Sequence, residues 1–116
     1  MGPEDTIRRF CEAINTHDGD GAAALADPEI VILIGTHELD GVEALRAMAA
    51  QRPEGLDSSV DVLGIDGADG RYEVTARRVQ RWAETGELAV DQELSIAIEL
   101  NYEGLVARAE MHPKSD

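Results

Sequence analysis

The chain has 116 residues, of which 43% are apolar and only 3% aromatic, and its 10 basic residues stand against 24 acidic ones for a net charge of −14. That length suits a single domain over 1–116 with an aliphatic core, and the apolar content excludes wholesale disorder. So acidic a surface repels nucleic acid and anionic lipid, so neither is expected as a partner.

The first segment, Glu4 to Thr16, carries Ile7, Phe10, Cys11 and Ile14 on one helical stripe. Glu4 and Asp5 lie in its first turn, where the helix dipole favours negative charge. Cys11, the one cysteine, sits on that stripe. A buried structural thiol is expected rather than a nucleophile, and an internal disulfide is excluded. His17-Asp18-Gly19-Asp20-Gly21 breaks the helix, and a short second helix is expected over about 21–25. Ile30 to Ile34, an unbroken aliphatic run between Pro28 and Gly35, reads as a strand buried on both faces. Asp40 with Glu43 three residues on predicts a capping box for a third helix, whose apolar face is Val42, Leu45, Met48 and Ala49 and whose end is marked by Pro53 and Gly55.

The second half reads as strands. Ser59 to Ile65 leads to a turn at 66–70. Arg71 to Ala83 follows, with Tyr72, Val74, Ala76, Arg78, Gln80 and Trp82 on one face. After a hairpin at Thr85-Gly86, Leu88 to Leu100 places Val90, Gln92, Leu94, Ile96 and Ile98 on one face and acids on the other. Asn101 to Gly104 turns the chain into a last strand, Leu105 to His112. Helices first and a meander of four long strands after them predict an α+β architecture.

Several chemistries find no support. His17, His37 and His112 are widely spaced, and no metal site is expected. Asp18-Gly19-Asp20-Gly21 lacks the later oxygen ligands of a calcium loop. There is no Gly-rich phosphate loop, no nucleophile elbow, and no cofactor is implied. Arg77, Arg78 and Arg81 beside Trp82 alternate across a strand, so they form no basic patch. No basic start leads into an apolar run, and no segment is long and apolar enough to span a bilayer, so a cytoplasmic location is expected.

The order of elements, together with the stretches Arg9 to Gly21, Gly41-Val42-Glu43-Ala44-Leu45-Arg46 and Asn101 to Val106, resembles the nuclear transport factor 2-like superfamily, which includes ketosteroid isomerases and SnoaL-like polyketide cyclases. The resemblance covers nearly the whole chain. It implies a curved antiparallel sheet and three helices forming a cone around an apolar pocket, and a homodimer. It also locates the isomerases' catalytic positions. The tyrosine donor corresponds to Phe10, the aspartate base to Ile32, and the protonated acid to about Ile96, or to Ser95 if the turn differs by one residue. Proton abstraction beside a carbonyl needs a base and an oxyanion donor in reach, and hydrocarbon offers neither. The chain is therefore expected not to be a ketosteroid isomerase.

If the even-numbered face of the long strands lines the cavity, Arg78, Gln80, Trp82 and Gln92 are its conspicuous amphipathic or polar candidates, beside Leu94 and Ile96. Gln92 either orients a ligand's polar group or bonds a neighbouring side chain. Three titratable candidates remain for chemistry. His37 and Glu38 lie in a loop after the buried strand, and Asp61 would face inward if its strand were shifted by one residue. The favoured reading is a pocket protein of SnoaL-like type that binds a small hydrophobic molecule. The other readings are an enzyme (isomerase, cyclase or epoxide hydrolase-like) using a pocket carboxylate or histidine, and a filled cavity whose fold serves assembly.

Overall fold

The computed structural model describes residues 2–51 and 54–113. Helix α1 spans Pro3–Asn15 and α2 spans Gly19–Ala24; strands β1 (Ala26–Ile34) and β2 (His37–Asp40) precede helix α3, Val42–Ala50. The remaining strands are β3 (Leu56–Ala68), β4 (Arg71–Trp82), β5 (Leu88–Leu100) and β6 (Val106–Pro113). They form one six-stranded sheet in the order β2-β1-β6-β5-β4-β3. All pairs are antiparallel except β1 and β6, which run parallel with Ile32 opposite Ala109.

Several expectations change. Residues 37–40, read as a loop, form the edge strand β2, pairing Ile34 with His37 and Val31 with Asp40. A four-residue strand with Leu39 as its one apolar side chain carries almost no periodic signal, which is why pattern reading passes over it. The capping box at Asp40 does not form. Gly41 is the N-cap without a side-chain bond, and Glu43 instead accepts from Arg46. The turn expected at 66–70 narrows to Asp69 and Gly70, because β3 and β4 stay paired out to Ala68 and Arg71. Both turn residues have positive φ, the conformation that a two-residue hairpin needs to match strand twist. Pro53, expected to stop α3, lies outside the described residues.

The sheet curves around the helices. Register shifts interrupt the ladder between Val62 and Gly64 of β3, between Gln80 and Arg81 of β4, and between Glu99 and Leu100 of β5. Such bulges bend a strand and sharpen its twist. At Gly67 the chain passes so close to its neighbour that a Cβ would sit 2.2 Å from the Arg71 carbonyl oxygen, and φ is +139°; only glycine fits there. The helices fill one end of the hollow. Ile7 and Phe10 of α1, Leu45 and Ala49 of α3, Ile30 of β1, Val74 and Ala76 of β4, Ile98 of β5 and Val106 of β6 form one continuous core. Strand β1 is fully buried on the face carrying Ile30 and Ile32 and only half-buried at Val31 and Leu33, not buried on both faces.

Two polar contacts lock long-range parts of this arrangement. Asn101 donates from Nδ2 to Asp27 at 2.8 Å, while its own Oδ1 accepts from the backbone N–H groups of Glu103 and Leu105. Asp27 also accepts from Glu29 N–H, and these donors, the backbone one foremost, hold its carboxyl below the usual range. At the other edge, Asn15 Oδ1 accepts from Val60 N–H at 2.8 Å and ties the end of α1 to β3.

Candidate functional site

Between the helices and the inner face of the sheet lies a cavity of about 600 Å³. Phe10, Cys11 and Ile14 of α1 form one side, Met48 and Ala49 of α3 another. Ile32 and Ile34 of β1, Leu94, Ile96 and Ile98 of β5, and Ala109 and Met111 of β6 form the sheet side. This lining follows from pattern. The same helical stripe and the same alternate strand positions that bury side chains elsewhere here face a gap. With few aromatic side chains available, short aliphatic ones leave it unfilled.

The three positions matched to the isomerases' catalytic groups, Phe10, Ile32 and Ile96, all line this cavity, and all are hydrocarbon. Ser95, the alternative to Ile96, is on the opposite face, where its hydroxyl donates to Glu73. Among the described residues that line the cavity, none is Asp or Glu.

The cavity is graded along the strands. On β4 the inward residues run from buried Val74 and Ala76 to half-buried Arg78 and Gln80; on β5 they run from buried Ile98, Ile96 and Leu94 to half-buried Gln92. Arg78 stands opposite Gln92 on one side and Val60 on the other. Its Nη2 donates to Gln92 Oε1 at 3.0 Å, whereas its Nε is buried without a hydrogen-bond partner. One strand position further out, Gln80 donates to Ser58 Oγ at 3.4 Å. Gln92 is the cross-strand neighbour of Arg78, bonds its side chain, and is not among the residues that line the cavity.

Other sequence candidates are placed elsewhere. Trp82, the last residue of β4, is 49% exposed and does not line the cavity; the even-numbered face runs past the rim before it reaches this residue. His37 and Glu38 are exposed on edge strand β2. Asp61 is exposed and pairs in register with outward Arg77, while its neighbour Val60 lines the cavity. The register shift that would exchange faces falls after Val62, beyond Asp61, and therefore leaves it outside.

Sequence reading passed over His17, Asn15, Gln51, Ser58 and Met48 as lining residues, and assigned Cys11 only to the core. His17 has the clearest local cause. Helix α1 ends with Asp18 N–H bonded to Ala13 C=O and His17 N–H to Ile14 C=O, and His17 has φ +61°. This is the left-handed helix-ending motif in which glycine is the usual residue. Asp18 then caps α2 by accepting from Gly21 N–H at 2.9 Å. The tight reversal places the His17 side chain at the cavity, a placement that no periodicity announces. Burial pushes the Cys11 thiol up to about 11, against a small opposing effect of Arg8; such a thiol is inert at neutral pH.

Three helices set into the hollow of a curved, unclosed six-stranded sheet define an α+β protein of the nuclear transport factor 2-like class. The chain belongs to the SnoaL-like domain family, whose model matches residues 7–93. Among solved structures, it is similar to an NTF2-like protein of unknown function from Burkholderia pseudomallei, with 16% identity, a TM-score of 0.81, and 98% of this chain and 92% of that one covered. It is similar to an LEH-like epoxide hydrolase from M. tuberculosis, at 13% identity and a TM-score of 0.78 over 95% of this chain and 80% of that one. It also resembles a proposed SnoaL-like polyketide cyclase from Jannaschia sp., at 17% identity and a TM-score of 0.79 over 97% and 85%. No protein in the curated collection matches the sequence.

Proposed function

We propose that this protein is a small-molecule pocket protein of the SnoaL-like type that holds a hydrophobic metabolite and is not a ketosteroid isomerase. The observation that carries this reading is the lining of the cavity. A space of about 600 Å³ has hydrocarbon at all three positions matched to the isomerases' proton-handling groups and no carboxylate among its described lining residues. A cavity of this size falls in the range of ligand sites, and apolar walls with a few polar groups are their usual composition. Burial of a ligand's apolar surface there is favourable at about 25 cal/mol per Å².

The reading includes a homodimer in the cytoplasm, without nucleic acid or membrane partners. Outward-facing Leu63, 55% exposed on β3, and Val79 on β4 support self-association through the outer sheet face. Titration with the neutral fluorophore N-phenyl-1-naphthylamine tests the pocket, and native mass spectrometry of freshly purified protein reports subunit count and any retained molecule. Saturable binding of one fluorophore per subunit is expected. No binding, together with an empty monomer in the mass spectrum, would sink the reading.

A second reading has one specific observation in its favour. His17 lines the cavity in a left-handed conformation that histidine adopts at a cost. With Asp61, His37 and Glu38 exposed and off the lining, an enzyme acting in this cavity would use His17 as its proton carrier. Hydrolysis of styrene oxide, followed by diol formation and abolished by His17→Gln, would favour this reading over simple binding. No diol above the buffer rate would remove this substrate from it.

A further inference from the structure

We infer that the ligand is an amphiphilic anion, an apolar body bearing a carboxylate or similar acidic group, and that Arg78 is the residue that selects it. This rests on the pocket reading above and adds the chemistry of the ligand's polar end.

Acidic residues outnumber basic ones by more than two to one, and four arginines on the protein's exterior pair with them. Arg46 lies within ion-pair distance of Asp20 and Glu43, Arg71 of Glu99, Arg77 of Asp91 and Arg108 of Glu110. Arg8, Arg9 and Arg81 have no such pair among the described residues but are exposed to water, and the buried Nε of Arg46 lies 3.0 Å from the Asp20 carboxylate; Arg78 is half-buried and has neither. Among the described residues it has no carboxylate partner and one side-chain hydrogen bond, to the neutral amide of Gln92. Its Nε–H, buried and unbonded, is an unmet donor on a group that stays charged at any relevant pH. Holding such a cation at the edge of an apolar cavity costs free energy, which a bound anion would offset.

Position adds the second half of the argument. Arg78 lines the cavity where β4 and β5 change from hydrocarbon to polar side chains, with Gln80 and Ser58 beyond it and Leu94, Ile96 and Ile98 inside. A molecule seated with its apolar body among the isoleucines brings its head group to the guanidinium. Planar, two-oxygen acids suit that fork of donors best. Gln92, bonded from the neighbouring strand, is a positioning residue: it fixes the orientation of the guanidinium and leaves the fork's remaining donors to the ligand.

A matched pair of fluorophores tests this on the full chain. 1-Anilinonaphthalene-8-sulfonate and N-phenyl-1-naphthylamine share one aromatic body and differ by the anionic group. Wild type is expected to bind the sulfonate more tightly than the neutral probe, despite the protein's strongly negative charge, and octanoate is expected to displace the sulfonate where octan-1-ol does not. Arg78→Met should weaken sulfonate binding about 10- to 100-fold, the range of a charge-assisted hydrogen bond, and leave the neutral probe unchanged or tighter. Arg78→Lys should retain part of the preference. Arg77→Met removes the same charge from the opposite face and should alter neither affinity. The neutral probe also reports that each variant is folded. If wild type binds the neutral probe but shows no preference for the sulfonate, or if Arg78→Met and Arg77→Met reduce sulfonate binding equally, the anion assignment is overturned while the pocket stands. If neither probe binds, both readings fall.

Discussion

Arg77 and Arg78 are consecutive residues on one strand, and they live in different worlds. Arg77 points outward and forms a two-pronged pair with Asp91, its Nε donating to Oδ1 at 2.8 Å. Arg78 points inward, bonds an amide, and keeps a buried N–H without a partner. The same contrast repeats along β5, where Glu93, Ser95 and Glu99 share the outer face and Leu94, Ile96 and Ile98 the inner one. Strand alternation alone creates this division. The lesson is that charges on the outer face meet partners or water, whereas the inner face carries Arg78, whose buried Nε–H has no partner.

The contrast can be attacked at its strongest point first. Ile98→Ala, on the inner face, should lower unfolding free energy by about 2–5 kcal/mol in urea titrations, whereas Glu99→Ala beside it should change it by less than about 0.5 kcal/mol. Equal effects would mean that the two faces are not distinct environments. Next comes titration of the inner face through Cys11. Its thiol is raised from 9.0 to about 11 in the folded protein. The unfolded state therefore loses its proton first, and stability that is fully present below about pH 9 declines as pH rises towards 11. The decline should be about 2–3 kcal/mol, seen as the difference in pH slope between wild type and Cys11→Ala. Identical slopes would place Cys11 in contact with water.

Smaller effects sharpen the picture. Arg78→Met combined with Gln92→Leu should raise the stability of the empty protein by about 1–2 kcal/mol, because a half-buried charge gives way to hydrocarbon. A clear loss of stability would mark Arg78 as structural. His17→Gly should stabilise by about 1 kcal/mol, since glycine accepts the left-handed conformation freely. The smallest effect is expected on the outer face. Arg77 holds the Asp91 carboxyl below its usual range. The pair's contribution is thus present above the ordinary carboxylate pKa and is lost as pH falls through the depressed one. Being exposed, it should register only as a slight difference in acid midpoint between wild type and Arg77→Met.

Much of this frame was legible from the amino acids. The stripe Ile7, Phe10, Cys11, Ile14 predicts α1, and strict alternation over 88–100 predicts β5 with the boundaries it has. The resemblance led to Phe10, Ile32 and Ile96, all on the cavity wall. Periodicity also assigned Arg78 and Gln92 to the inner face, but it could not say where a face passes beyond the rim, and so it carried Trp82 inward. It was silent about His17, whose direction is set by one backbone angle, and about Asn15, whose partner Val60 lies 45 positions away. Edge strand β2 is short and has a single apolar residue, Leu39, so nothing in its pattern separates it from a loop.

The parallel pairing of β1 with β6 bears on how the molecule assembles. Asp27 and Asn101, which fasten that junction, lie 74 positions apart, so the ladder that joins β1 to the rest of the sheet requires closure of a very large loop. High contact order of this kind slows folding. Until β6 docks, the aliphatic run Ile30 to Ile34 has an unpaired backbone edge, and such a segment invites intermolecular association. Refolding yield should therefore fall as protein concentration rises, and a charged residue at half-buried Leu33 should relieve that loss while leaving the cavity wall intact.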